Sequence, residues 1–132
     1  MREERTLRLG ALGRAFIPVV LLAVPAFAIR REANAGPRVF EVTASRFKFE
    51  PSVLEVTEGD EVKITARSVD SKHGLAIKEL KVKLAIPKGG APVTVEFTAA
   101  KAGTFAIECS EYCGSGHRDM RAKLVVAPRS AP

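Results

Sequence analysis

The sequence predicts an all-β domain, a Greek-key β-sandwich, preceded by an N-terminal hydrophobic segment. Three observations predict it. Beyond Pro37 the apolar residues fall in short runs that alternate with polar ones. Turn signals recur about every 8–12 residues, the spacing of a sandwich or Greek-key barrel. No segment sustains a 3.6-residue period. The length of 132 residues, with 46% apolar and 27% charged residues and no repeat, is that of one globular domain. Residues 37–132 are enough for one modest core.

Residues 1–36 read as a signal peptide or N-terminal membrane anchor with its linker. Arg2, Arg5, Arg8 and Arg14 precede an uncharged run from Ala15 to Ile29. That run lies between a signal-peptide core and a full span in length. Pro18 and Pro25 and the lack of a polar face argue against a buried amphipathic helix. Ala26-Phe27-Ala28 and Ala33-Asn34-Ala35 fit a cleavage pattern, whereas Arg30 and Arg31 favour retention. Either fate places residues 37–132 outside the cytoplasm.

The strands follow in order. Arg38–Ala44 alternates, with Val39, Glu41 and Thr43 on one face and Phe40 and Val42 on the other. Arg46–Glu50 sets Phe47 and Phe49 on one face. Val53–Ser68 reads as strand, turn, strand, with Glu58-Gly59-Asp60 as the turn and Val62, Ile64 and Ala66 as a buried face. His73–Ile86 runs to a turn at Pro87-Lys88-Gly89-Gly90. Pro92–Ala99 puts Val93, Val95 and Phe97 on one face, and Gly103–Cys109 does the same for Phe105, Ile107 and Cys109. A helical turn fits near Ala99–Gly103, and Ala122–Ala127 closes the domain.

The formal charge of +6 divides evenly between residues 1–36 and the rest. The domain's basic residues alternate with acids and form no cluster with interleaved aromatics, so nothing points to nucleic acid.

The chemistry is concentrated in "CSEYCGSGHRDM", Cys109 to Met120, which holds both cysteines, one of two histidines and the only methionine besides Met1. In a continuing strand Cys109 and Cys113 would sit about 13 Å apart, too far to share a metal. Gly114 and Gly116 instead mark a tight loop that folds Cys113, His117 and Met120 back toward Cys109. Two thiolates, an imidazole and a thioether form a soft set, suited to copper and unsuited to magnesium or calcium. The remaining histidine, His73, shares the parity of Leu75 and Ile77 and so points inward, where a loop short of one imidazole would use it. Other uses of these residues stay open: a short-loop disulfide between the cysteines, or a Cys2His2 zinc site with Met120 as core filler. Glu111 reads most simply as a solvated carboxylate and Tyr112 as a packing residue over the loop.

The pattern C-x-E-x-C-x-x-x-H-x-x-M, here Cys109, Glu111, Cys113, His117 and Met120, resembles the dinuclear copper (CuA) loop of cytochrome c oxidase subunit II. Upstream, "HGLAIKELKVKLAIPKGG" looks like that family's segment carrying the first histidine ligand. The resemblance spans about Phe40 to Val126 and implies a cupredoxin fold, a Greek-key sandwich with copper at one end. It implies that Cys109 and Cys113 bridge two coppers, that His73 binds one and His117 the other, and that Met120 and the Glu111 carbonyl are weak ligands. In full oxidases the Glu111 side chain would touch a magnesium at the interface with the catalytic subunit. The implied partners are the haem-copper catalytic subunit, cytochrome c or another small redox donor, and the membrane through the N-terminal segment. The chain has no Trp, so the aromatic electron-input patch of mitochondrial-type subunits is missing. With one hydrophobic segment rather than two, it resembles the short, single-anchor form. Three rivals remain: a free-standing extracytoplasmic copper carrier or copper-handling protein, a mononuclear blue-copper protein using His73, Cys113, His117 and Met120, and a structural zinc domain. No candidate hydrolytic triad is present.

Overall fold

A computed structural model describes residues 36–130; the N-terminal hydrophobic segment lies outside the described residues. Among the described residues nine strands form two sheets. They are β1 (Arg38–Ser45), β2 (Lys48–Glu50), β3 (Val53–Thr57), β4 (Glu61–Ser68), β5 (His73–Ile77), β6 (Val82–Ile86), β7 (Val93–Thr98), β8 (Gly103–Glu108) and β9 (Arg121–Ala127). One sheet has the order β2-β1-β4-β7 and the other β3-β9-β8-β5-β6. The β1–β4 and β3–β9 pairs are parallel and the rest antiparallel. This is a cupredoxin-like sandwich.

Alternation decides which face of each strand meets the core. In β4 the sequence EVKITARS buries Val62, Ile64, Ala66 and Ser68 and leaves the residues between them more exposed. In β8 and β9 the inward residues are Phe105, Ile107, Ala122, Leu124 and Val126. With Val42, Phe49, Leu54, Leu75, Ile77 and Ile86 they make one continuous core. Each such large side chain contributes roughly 1.5–3 kcal/mol when fully buried.

Two expectations change. The run His73–Ile86 is two strands, because a 3-10 turn at Lys78–Leu80 ends with Lys81 in the left-handed region, φ 56°. No helical turn forms at Ala99–Gly103. Ala99 is fully buried there, and its amide and carbonyl bond Asp60 O and Gly59 N at 2.9 and 2.8 Å. Those bonds commit both backbone groups of Ala99 to pairing across the end of the sandwich rather than to a helical turn.

At the other end three chain segments converge: the start of β5, the loop between β8 and β9, and the β1–β2 turn. The loop is closed at its base, because Cys109 N donates to Met120 O at 3.2 Å and so adds one more rung to the β8–β9 ladder. Residues 110–119 are therefore an excursion between two residues that stay paired. Ser110 N donates to Gly74 O at 3.2 Å, which fastens the same loop to β5.

Candidate metal centre

His73 opens β5 and is fully buried. Its neighbour Gly74 has no room for a side chain: a Cβ would meet Ser110 Oγ at 2.1 Å and Glu111 N at 3.1 Å. Strand and loop thus touch backbone to backbone, which sets His73 beside the loop cysteines. Within the loop Gly114 takes φ 135°, a conformation other residues rarely adopt. His117 N then donates to Gly114 O at 3.0 Å, and a 3-10 turn over His117–Asp119 delivers Met120 back to the ladder.

The result is a row of soft donors. His73 Nδ1 lies 4.0 Å from Cys109 Sγ. Cys109 Sγ lies 3.8 Å from Cys113 Sγ. Cys113 Sγ lies 3.9 Å from His117 Nδ1 and 3.8 Å from Met120 Sδ. The Glu111 carbonyl oxygen lies 3.1 Å from Cys109 Sγ. The six residues that the sequence singles out are all brought together. The ligand atoms of His73, Cys109 and Cys113 all lie within 4.8 Å of one another, whereas His117 lies outside that group and is reached through Cys113. The two cysteines are free and buried; their sulfurs are far beyond the bond length of about 2.05 Å of a disulfide.

Electrostatics match this picture. Burial pushes the Cys113 thiol up to about 11, and its hydrogen bond and charge coupling with Cys109 push the same way. Without metal Cys113 is held as a thiol at neutral pH, so binding a metal there would release its proton. His73 Nε2 faces Asp70 Oδ1 at 2.7 Å. With the ring proton assigned to Nε2 by that contact, Nδ1 presents its lone pair toward Cys109. Burial would raise the Asp70 carboxyl, but the bond from His73 and the amides of Arg46 and Ser71 outweigh it and hold the group at about 2.

Sequence reasoning missed Asp70, Arg46 and Phe47. An acid three residues before an inward histidine was the available signal for Asp70. Arg46 Nε donates to Cys113 O at 2.9 Å across 67 residues, which no local pattern foretells. Glu111 does not stand alone in solvent, since Lys72 Nζ lies 3.8 Å from its carboxylate. Tyr112 is not a buried packing residue: it is 73% exposed and makes a tilted ring contact with His117, 5.8 Å between centroids.

Known proteins share this architecture. The cupredoxin-like domain family matches residues 18–126. Cytochrome c oxidase subunit 2 of Thermus thermophilus is 31% identical over 95 residues, covering 70% of this chain and 70% of that protein. The chain belongs to the cupredoxin family of cytochrome c oxidase subunit II. This cupredoxin also shares its fold with the periplasmic domain of subunit II of cytochrome oxidase (CoxB) of Bradyrhizobium japonicum, at a TM-score of 0.61, 20% identity, and 69% and 84% coverage of the two chains. Auracyanin A, a blue copper protein of Chloroflexus aurantiacus, superposes with a TM-score of 0.56 at 22% identity, covering 69% of this chain and 99% of that one. The fold alone therefore does not choose between one copper and two in this cupredoxin; the donors must.

Proposed function

We propose that this cupredoxin carries electrons one at a time through a dinuclear copper centre, as the electron-receiving subunit of a haem-copper cytochrome c oxidase outside the cytoplasm. One observation carries the reading: the two thiol sulfurs lie 3.8 Å apart with a different imidazole against each, His73 at Cys109 and His117 at Cys113. Each sulfur also has its own weak donor, the Glu111 carbonyl at Cys109 and Met120 at Cys113. The donor set fits copper, because thiolate, imidazole and thioether are soft ligands. In this reading Cys109, Cys113, His73 and His117 would hold the coppers, with Met120 and the Glu111 carbonyl as weaker donors. A copper pair held there would supply a one-electron couple. The chain's own part is to hold the donors still. The closed loop base and the Gly74–Ser110 contact fix the sulfurs, and burial excludes water from them.

The wider setting follows the relatives. The catalytic subunit would receive the electron, and cytochrome c or another small redox donor would supply it. A magnesium at the subunit interface would meet the Glu111 carboxylate. Residues 1–36 would export the domain, residues 37–132, or anchor it to the membrane.

A mononuclear blue-copper site is the second reading, favoured by the paired contacts of Cys113 with His117 and Met120. Metal analysis and electron paramagnetic resonance of the copper-loaded full chain decide between them. Two coppers per chain with one unpaired electron spread over both nuclei are expected. One copper with a single-nucleus hyperfine pattern would establish the rival, and a colourless chain that retains zinc after copper loading would end both.

A further inference from the structure

The β1–β2 turn supplies no donor to the centre, yet it touches both segments that do. Arg46 N donates to Asp70 Oδ2 at 2.6 Å, while the other oxygen of the same carboxylate receives His73. The Arg46 side chain turns to the opposite partner, its Nε donating to the Cys113 carbonyl at 2.9 Å. The next residue, Phe47, lies flat against the loop glycines: a Cβ on Gly116 would meet its ring at 2.5 Å and one on Gly114 at 3.0 Å. One dipeptide thus spans from the His73 side to the Cys113 side of the site.

We propose that Arg46 is the positioning residue of this centre, tying the Cys113–His117 half of the donor row to the His73 half and setting a fixed positive charge beside the thiolates. The second part rests on the copper reading above; the first does not. The physical reasons are separable. A guanidinium is charged at every working pH and its planar fork fixes direction as well as distance. Its bond to a carbonyl is charge-assisted, hence stronger than a neutral pair. The carbonyl it holds belongs to Cys113, so restraining that peptide restrains the sulfur of the same residue. Oxidising the centre adds positive charge next to Arg46, so a fixed cation there favours the reduced form. The backbone bond from Arg46 N to Asp70 survives any side-chain change, which leaves the His73 half as an internal control.

Two substitutions in the full chain test this, Arg46→Met and Arg46→Lys. The first readout needs no metal: amide hydrogen exchange of residues 113–117 in the copper-free protein. Losing one charge-assisted hydrogen bond should speed that exchange about tenfold or more in Arg46→Met, with β5 amides unmoved. The second readout is the reduction potential of the copper-loaded protein by spectroelectrochemistry. It should fall in Arg46→Met and stay near the parent value in Arg46→Lys, which keeps the charge. A parent chain that fails to bind copper sinks the copper reading but leaves the exchange result to judge the positioning role. Unchanged loop exchange in Arg46→Met would overturn that role, and a potential that does not fall in Arg46→Met, or falls as far in Arg46→Lys, would overturn the charge effect.

Discussion

The two ends of the sandwich are built from opposite kinds of contact. At one end Asp60 closes the β3–β4 turn: its carboxylate receives Thr57 N at 2.9 Å and Arg129 Nη2 at 2.8 Å. Backbone bonds from Glu58 to Ala127 and from Gly59 to Ala99, both 2.8 Å, stitch that turn to the neighbouring strands. Donors and acceptors there meet at full hydrogen-bonding distance. At the other end the sulfur and nitrogen atoms of the donor row sit 3.8–4.0 Å apart, beyond the range of strong hydrogen bonds. His73, Cys109, Cys113 and Met120 are buried and His117 half-buried, with little holding them to one another. Apart from the Cys109 thiol's bond to the Glu111 carbonyl at 3.1 Å, the shorter side-chain bonds at that end, from Arg46 and to Asp70, lie around the donor row rather than along it. The first end is complete as a polypeptide. The second is a frame around soft donors that could hold a metal ion, and its geometry is fixed from outside.

Breaking the donor row should have the largest effect. Cys109→Ser replaces a soft, ionisable thiol by a hydroxyl that stays protonated at neutral pH. The dinuclear reading makes Cys109 and Cys113 equivalent bridges, so this variant should lose the delocalised resonance signal and retain at most one copper. If Cys109→Ser keeps the parent copper content and spectrum while Cys113→Ser loses both, the mononuclear reading takes its place.

Breaking the other end should cost stability and nothing else. Asp60→Ala removes two hydrogen bonds, one of them to a charged group, and should destabilise the domain by about 2–4 kcal/mol. Copper content and spectrum should stay at parent values. Chemical denaturation followed by absorption of the folded fraction reads both at once. A spectral change in Asp60→Ala would show that the two ends are coupled and that the contrast drawn above is too sharp.

Acid sharpens the comparison within the frame. The Asp70 carboxyl is held at about 2, below its ordinary value. A carboxyl depressed on folding contributes stability that is fully present above its unfolded value, roughly 3.9, and is lost as pH falls through the folded one. Metal-free parent protein should therefore lose stability between about pH 4 and pH 2 more steeply than Asp70→Asn, which carries no such group. Denaturation midpoints across that range are the measurement, and parallel curves for the two proteins would remove Asp70 from the frame.

The contrast between the ends also marks what could be read from the residues alone. Strand faces were legible because alternation is local, and Val62, Ile64 and Ala66 are buried as expected. The donor loop was legible because four of its donors lie within twelve residues and its glycines announce the turn. His73 was legible by parity with Leu75 and Ile77, all three being fully buried. The frame was not legible, because Arg46 meets Asp70 and Cys113 across separations of 24 and 67 residues. The turn expected near Ala99 failed for the same reason: its backbone pairs with Gly59 and Asp60, a partner far away in sequence. Local pattern specifies what a residue is suited to do, and tertiary contact decides what holds it there.

Met120 should give the smallest effect and the finest distinction. It is fully buried, and its sulfur lies 3.8 Å from Cys113 Sγ, so it belongs both to the core and to the donor row. Its backbone is held by the rung with Cys109 whatever the side chain. Leucine has nearly the same volume, and such swaps typically cost less than about 1.5 kcal/mol. Packing should therefore survive in Met120→Leu. What would leave, in the copper reading, is a thioether donor, a weak ligand whose main influence in copper–thiolate sites is on potential. The variant should keep its copper and colour and show a shifted reduction potential. An unchanged potential would make Met120 core filler that merely touches the site, and loss of all copper would make it a principal ligand. Either result would redraw the line between the frame and the centre it holds.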